Sequence, residues 1–330
     1  MTKVVTAMSM SHAPGVLGWP DAPAPPVRRR MAAAWQQLAA RLEQKRPDVI
    51  IAFLDDHFEN HFRNLMPSLA IGIAPSHSGP SDHLLEFLKF DKRETIPGSP
   101  KLAEELLRKL VWSGFDVARM GTVEYGNNLM VPLKLIRPQL DIPIIPIFIN
   151  VFSPPLVSVS RAYAFGEAVR SAVEASHHDL RIAFLATGGL SHWPPVWIDS
   201  SPEDDAFLQR MKRFQSEGRM VLKDDPKLWV DLGKYEIEMA QKNQYPLNSS
   251  HPLINADWDR EFLGALERGD LSYMRALSFE EVQCKAGHGG LEILTWVAVM
   301  GAMHAMPATI IDYEPVLEWI CGMGFAAYDC

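Results

Sequence analysis

Ala52-Phe53-Leu54-Asp55-Asp56-His57-Phe58-Glu59-Asn60-His61-Phe62 is the stretch on which the reading of this chain turns. It closes a Val- and Ile-rich run from Pro47 to Leu54, the pattern of a strand buried on both faces of a parallel sheet. The apolar character stops at Asp55, where carboxylates and histidines begin. Open α/β sheets place their ligands beyond the carboxyl ends of strands, so polar chemistry at this point marks one arm of a site.

Two other strand ends repeat the pattern. Lys3 to Met10 reads as a strand and runs into Ser11-His12-Ala13-Pro14. Leu180 to Ala186 reads as another and ends in Thr187-Gly188-Gly189-Leu190-Ser191-His192-Trp193-Pro194-Pro195, where paired glycines let backbone approach a ligand closely. Between these lie a helix from about Val27 to Gln44, with Met31, Ala34, Trp35, Leu38 and Leu42 at helical spacing, and a strand from Pro67 to Ala74. Pro75 to Pro80 reads as a Gly/Ser/His loop, Asp82 to Phe90 and Pro100 to Ser113 as helices, and Phe115 to Met120 as a strand. Ile142 to Val151 reads as the most apolar strand and Ala162 to Ala175 as an amphipathic helix. Alternation of strand and helix over the first two thirds predicts one α/β domain spanning residues 1–330: three layers, with a mostly parallel central sheet flanked by helices. The charged helical stretches at about 201–257 are expected to form a helical insertion in the last third, serving as a lid or an oligomer contact. Helices over Asp257 to Arg268 and Ser278 to Cys284 follow, and Tyr313 to Ile320 is expected to be a partly structured aromatic cap.

Composition narrows the function. A formal charge of −8, with Arg28-Arg29-Arg30 as the one short basic run, excludes nucleic acid and anionic membranes as expected partners. The longest apolar stretch, Ile142 to Val151, is far short of the roughly 20 residues of a membrane span, and Met1 to Met8 lacks the pattern of a signal peptide. A cytoplasmic protein is expected. Three cysteines without Cys-x-x-Cys spacing point to a reducing compartment and no zinc cluster. Trp193, Trp197 and Trp296, near the candidate residues, would give aromatic walls suited to a flat substrate.

The last strong helix begins near Gly290 and has a wide apolar face, yet it carries Glu292 in its first turn. A carboxylate buried there without a partner would cost several kcal/mol, and a cation is the simplest remedy. Two imidazoles and one carboxylate with an open face is the arrangement used by non-haem Fe(II) oxygenases, and His12, His57 and Glu292 could supply it. Loop histidines satisfied by their neighbours are the alternative. Of the remaining candidates, His61 and His77 read as loop or supporting residues and His288 as a helix-start residue. Asp55 and Asp56 are expected to orient His57 through its second nitrogen.

At these residues the chain resembles the class III extradiol ring-cleavage dioxygenase superfamily, which includes the protocatechuate and 2,3-dihydroxyphenylpropionate ring-cleaving enzymes. The resembling segments are Met10 to Pro14, Leu54 to His57, Ile145 to Asn150, Gly188 to Pro195, His251 to Leu253, Leu291 to Ala298 and Glu318 to Gly324, covering essentially the whole chain. The resemblance implies an Fe(II) centre on His12, His57 and Glu292, with His192 as catalytic base. It also implies a homo-oligomer that uses O2 to open a catechol-type aromatic beside its two oxygenated carbons, the substrate carrying a carboxylate or side chain and belonging to aromatic catabolism. For a carboxylate, Arg and His residues of the later half are the expected partners. One departure is plain: where relatives carry Asp-His-Gly, with a second acid/base His, this chain has Glu124-Tyr125-Gly126, and two extra residues precede Val131-Pro132-Leu133. The Tyr125 phenol can donate a proton but is a poor base at neutral pH, so Tyr125 is expected to alter proton delivery or substrate preference. Alternatives left open are an aminophenol, hydroxypyridine or methoxylated catechol substrate, and a metal-free interaction protein of the same fold.

Overall fold

A computed structural model describes residues 2–245 and 252–329. Its strands are β1 (Lys3–Met10), β2 (Val49–Leu54), β3 (Leu69–Gly72), β4 (Ser76–Gly79), β5 (Glu94–Pro97), β6 (Ala118–Met120), β7 (Ile144–Ile149), β8 (Arg181–Thr187), β9 (Thr309–Val316) and β10 (Cys321–Asp329). Its helices are α1 (Gly15–Gly18), α2 (Pro25–Lys45), α3 (Pro100–Trp112), α4 (Asn127–Ile136), α5 (Val159–Glu174), α6 (Ala206–Glu217), α7 (Leu228–Lys242), α8 (Ala256–Arg268), α9 (Leu271–Ala276), α10 (Phe279–Ala286) and α11 (Ile293–Ala302).

Among the described residues the central sheet has eight strands in the order β6-β3-β7-β2-β8-β1-β10-β9. Its middle, β7-β2-β8-β1, is parallel throughout, while β10 runs antiparallel to β1, as does β9 to β10 and β3 to β7. Every residue of β2 and of β7 is buried, which is why both read as unbroken apolar runs. At roughly 1.5–3 kcal/mol for each large aliphatic or aromatic side chain, these strands supply much of the core's stabilisation.

Helices cover both faces. On one, α11 packs along α5 and over β8, β2 and β1; on the other, α2 and α4 pack together against β1 and β8. The five residues spaced along α2, Met31, Ala34, Trp35, Leu38 and Leu42, are its buried face. The α5–α11 crossing is close enough that a Cβ on Gly166 would sit 1.8 Å from the Ala298 carbonyl oxygen, so only glycine fits there.

Three expectations are corrected. Ser76–Gly79 is not a loop: it is a strand, paired antiparallel to β5 with His77 opposite Ile96. Ser and Gly carry little strand preference, and it is burial of His77 and Gly79 that makes the pairing favourable. Asp82 to Phe90 forms only a 3₁₀ turn at Asp82–Leu84 and then turns at Lys89, whose φ is 57°, sending the chain back into β5. The expected aromatic cap, Tyr313 to Ile320, is the second half of β9 followed by the 3₁₀ turn Leu317–Trp319, which leads into β10. Gly322, Gly324, Ala326 and Ala327 weaken the strand signal of β10, yet β10 is almost wholly buried against β1.

Candidate metal centre

Three strand ends and one helix start converge. His12 leaves β1 beside Ser11, whose backbone N–H donates to the Gly324 carbonyl at 3.1 Å while its Oγ donates to the Gly322 carbonyl at 3.1 Å. His57 follows β2, and Phe58, at a φ of 60°, turns the chain away directly after it. Glu292 ends the 3₁₀ turn Gly289–Glu292 that leads into α11. Gly188, beyond β8, has a φ of +144° and lies so close to Glu292 that a Cβ would come within 2.8 Å of the Glu292 Cβ. The paired glycines thus admit the carboxylate, whose Oε2 accepts from the Gly189 N–H. Thr295 Oγ1 and Trp296 Nε1 tie α11 to the same strand end, donating to the Thr187 and Gly188 carbonyls at 2.9 and 3.0 Å.

The structure brings together His12, His57, Glu292 and also Asp55, with ligand atoms all within 4.8 Å of one another. His57 Nε2 lies 2.5 Å from Asp55 Oδ2 and 3.3 Å from Glu292 Oε1; His12 Nε2 lies 3.5 Å from Glu292 Oε2. Both ring nitrogens of His12 and Oδ1 of Asp55 are buried with no hydrogen-bond partner, while Asp55 Oδ2 is paired with His57. Such a set is costly unless something shares it, and imidazole nitrogens with carboxylate oxygens are the donors a divalent cation takes. Burial holds the His12 imidazole below its usual pKa against the opposing pull of Asp55 and Glu292. His57 goes the other way: burial lowers it, but the two carboxylates prevail and hold it well above the ordinary value. Glu292 sits well below the usual carboxylate range, because His192 and His12 outweigh the penalty of burial. A bound cation would take the place of the proton that His57 otherwise keeps.

His57 is oriented differently from expectation. Its Nδ1–H donates to Asn127 Oδ1 at 2.9 Å, and Asn127 Nδ2 reaches the His12 carbonyl at 3.3 Å, so one amide at the start of α4 steadies both histidines. Asp55 instead meets Nε2, inside the cluster, and Asp56 accepts from the Asn60 and His61 backbone N–H groups. His192 joins from the β8 side. Its Nδ1–H donates to the Leu190 carbonyl at 2.9 Å, and its Nε2 lies 3.4 Å from Glu292 Oε1. Burial lowers this imidazole but Glu292 raises it more, leaving it above its ordinary pKa. The preceding Ser191 is clamped by Asp259 of α8, which accepts from its N–H and its hydroxyl at 2.8 Å each and from the Tyr313 hydroxyl at 2.6 Å.

Other candidates lie apart. His77 accepts from the Val123 N–H, His61 pairs with Asp56, and His288 donates to the Pro194 carbonyl. Tyr125 is fully buried against the His77 ring, its hydroxyl without a partner, and it is not among the residues lining the cavity above the cluster. That cavity is walled by Phe58, Phe87, Phe152, Trp229 and Trp319; Trp193, Trp197 and Trp296, expected as walls, do not line it. Trp296 is locked in the core by its bond to Gly188, and Trp197 is covered by Arg63 and Lys212. No Arg or Lys lines the cavity among the described residues. His251, part of one resembling segment, lies outside the described residues.

Reading the sequence missed Asp55 as a cluster member, Asn127, Asp259 and Glu236. The last belongs to α7, lines the cavity, and is buried with Oε2 unpartnered. Burial pushes its carboxyl up to about 8. Its spacing from Trp229 and Leu232 puts it on the apolar face of the helix, a signal present in the sequence.

Comparisons with known proteins bear on the family and the fold. Residues 6–324 match the family model described as the catalytic LigB subunit of aromatic ring-opening dioxygenase. A Rhodococcus globerulus protein named 2,3-dihydroxyphenylpropionate/2,3-dihydroxicinnamic acid 1,2-dioxygenase is 30% identical over 320 residues, covering 96% of this chain and 95% of that one. A protein of the same name from Burkholderia vietnamiensis is 29% identical over 321 residues, covering 96% and 94%. The fold is also that of an uncharacterized Escherichia coli K12 protein of known structure, with a TM-score of 0.51 at 15% identity over 98% of this chain and 99% of that one.

Proposed function

The chain belongs to the LigB family of aromatic ring-opening dioxygenases, and from that premise we propose an Fe(II) centre, held by His12, His57 and Glu292, that opens a substituted catechol-type ring. The activity class, an extradiol ring-cleaving dioxygenase, follows from the family and its named members. The observation that supports the metal assignment is the buried His12 imidazole, without a hydrogen-bond partner, within 4.8 Å of the donor atoms of Asp55, His57 and Glu292. Asp55 stands close enough to share the ion or to replace a ligand. The chemistry such a metal supplies when bound is redox coupling of O2 to a chelated catecholate.

This chain's own residues do the rest. His192, with Nδ1–H committed to Leu190, presents Nε2 as the nitrogen that accepts a proton. In this reading it takes the proton a catechol hydroxyl loses on binding. Aromatic and proline walls hold the flat ring and exclude water. Met211 of α6 and Trp229 and Leu232 of α7 lie over the cavity, which supports a lid role for residues 201–257. Tyr125 lies buried behind the cavity, not in its wall, and Tyr125→Phe is expected to leave turnover close to wild type; a large loss in O2 uptake would restore it as a proton donor.

A second substrate reading, an aminophenol, hydroxypyridine or methoxylated catechol, is favoured by one observation: no histidine stands at the Tyr125 position where relatives hold a second acid/base group. No described helix is long and apolar enough to cross a membrane, and we read the protein as cytoplasmic and, from the family, as a homo-oligomer. The test is O2 uptake by anaerobically iron-loaded protein with a panel of catechols, watching for the yellow ring-opened product. Uptake is the expected outcome. Silence with iron bound would move the substrate to the second class, and failure to hold iron would remove the metal assignment.

A further inference from the structure

Above the cluster the cavity changes character. Phe58, Phe87, Phe152, Met211, Trp229 and Leu232 face it, and among the described residues it has no lysine or arginine. Its histidines, His12, His57 and His192, all stand at the floor, where the proposed function already commits them to metal and base. Away from that floor the ionisable group lining it among the described residues is Glu236; Cys321 stands beside the floor, its Sγ donating to the Gly189 carbonyl at 3.3 Å. Glu236 is a buried side chain with an unpartnered oxygen, and the positive charges that act on it are the His192 and His57 imidazoles of the floor.

We infer that the catechol's substituent is uncharged and largely apolar, and that the upper cavity discriminates against a carboxylate there. This rests on the proposed catechol chemistry. A carboxylate entering the upper cavity would shed its water and meet aromatic faces, a thioether and another carboxyl group, with no lysine or arginine among the described residues to replace the lost hydration. An alkyl chain meets the same surface favourably, because its burial there removes apolar area from water. The relatives named for carboxylated substrates are 29–30% identical, a distance at which the floor can be shared and the roof rebuilt.

The test uses the whole iron-loaded protein and three catechols matched in side-chain length: 3-propylcatechol, 2,3-dihydroxyphenylpropionate and 3-(2-aminoethyl)catechol. Relative kcat/KM comes from O2 uptake, and relative affinity from quenching of tryptophan fluorescence under nitrogen, since Trp229 and Trp319 line the cavity. The propyl compound should exceed the propionate by about tenfold or more in both measures. Parity, or preference for the propionate, overturns the inference while leaving the catechol reading intact. Preference for the amine also overturns it, making Glu236 a counter-ion instead. Turnover of none of the three overturns the catechol reading alone, and the binding order then decides the inference. Glu236→Arg, which supplies the missing cation, should shift preference toward the propionate by about tenfold or more. The wild-type comparison stands whether or not that variant folds.

Discussion

The floor and the roof of this cavity are built on opposite principles. The floor gathers His12, Asp55, His57, His192 and Glu292 at the ends of three parallel strands and the start of α11, where charge is concentrated and left open. The roof, from α6, α7 and the loop after β2, is aromatic and aliphatic and holds one isolated carboxyl, Glu236. Desolvation makes the floor depend on its carboxylate–imidazole pairs or on a cation that replaces them, whereas the roof is stable as long as Glu236 keeps its proton. A floor made this way dictates a reaction class; a roof made this way selects which molecule undergoes it.

The contrast can be broken at its strongest point first. Glu292→Ala removes the shared carboxylate and should abolish iron binding and turnover while the fold persists; full iron content by metal analysis would dismantle the floor as described. His192→Ala should keep the iron and slow turnover by about 100-fold or more, which single-turnover kinetics on the loaded protein would measure. Asn127→Ala frees the Nδ1 side of His57 and the His12 carbonyl together, and should weaken iron affinity by about 10- to 100-fold in a chelator competition. The smallest effect belongs to the roof. Glu236 has a folded pKa raised from 4.5 to about 8, so the folded state holds a proton that the unfolded state has released. Its contribution to stability is therefore fully present below about pH 4.5 and is lost as pH rises toward 8. Relative to Glu236→Gln, the wild type should lose on the order of 2 kcal/mol between pH 6 and 8 in urea denaturation. Parallel curves would mean Glu236 finds a partner in solution.

The same division governs what could be read from sequence. Strands β1, β2, β7 and β8 announce themselves because a strand buried on both faces must be apolar along its length, and the floor residues announce themselves by interrupting that pattern. Asp55 was visible in that position but was given to the outer side of His57, because sequence carries no information about which ring nitrogen a neighbour meets. Asn127 was hidden for a related reason: it acts from 70 residues away, through a hydrogen bond that no local pattern signals. Glu236 sits at helical spacing from Trp229, a polar break in an apolar face like Glu292, but without a strand end or glycine pair beside it. Strand β10 was missed because its small residues answer to the crowding around Leu190 and Asp259 and not to strand propensity.

The pairing of β1 with β10 sets an order of events. Ser11, which holds the backbone in front of His12, is bonded to Gly322 and Gly324, residues synthesised some three hundred positions later. A nascent chain that has already folded β1, β2 and β8 still lacks the neighbour that fixes its first ligand. On the proposed assignment, a metal would meet its full donor set only once the end of the polypeptide has docked beside β1.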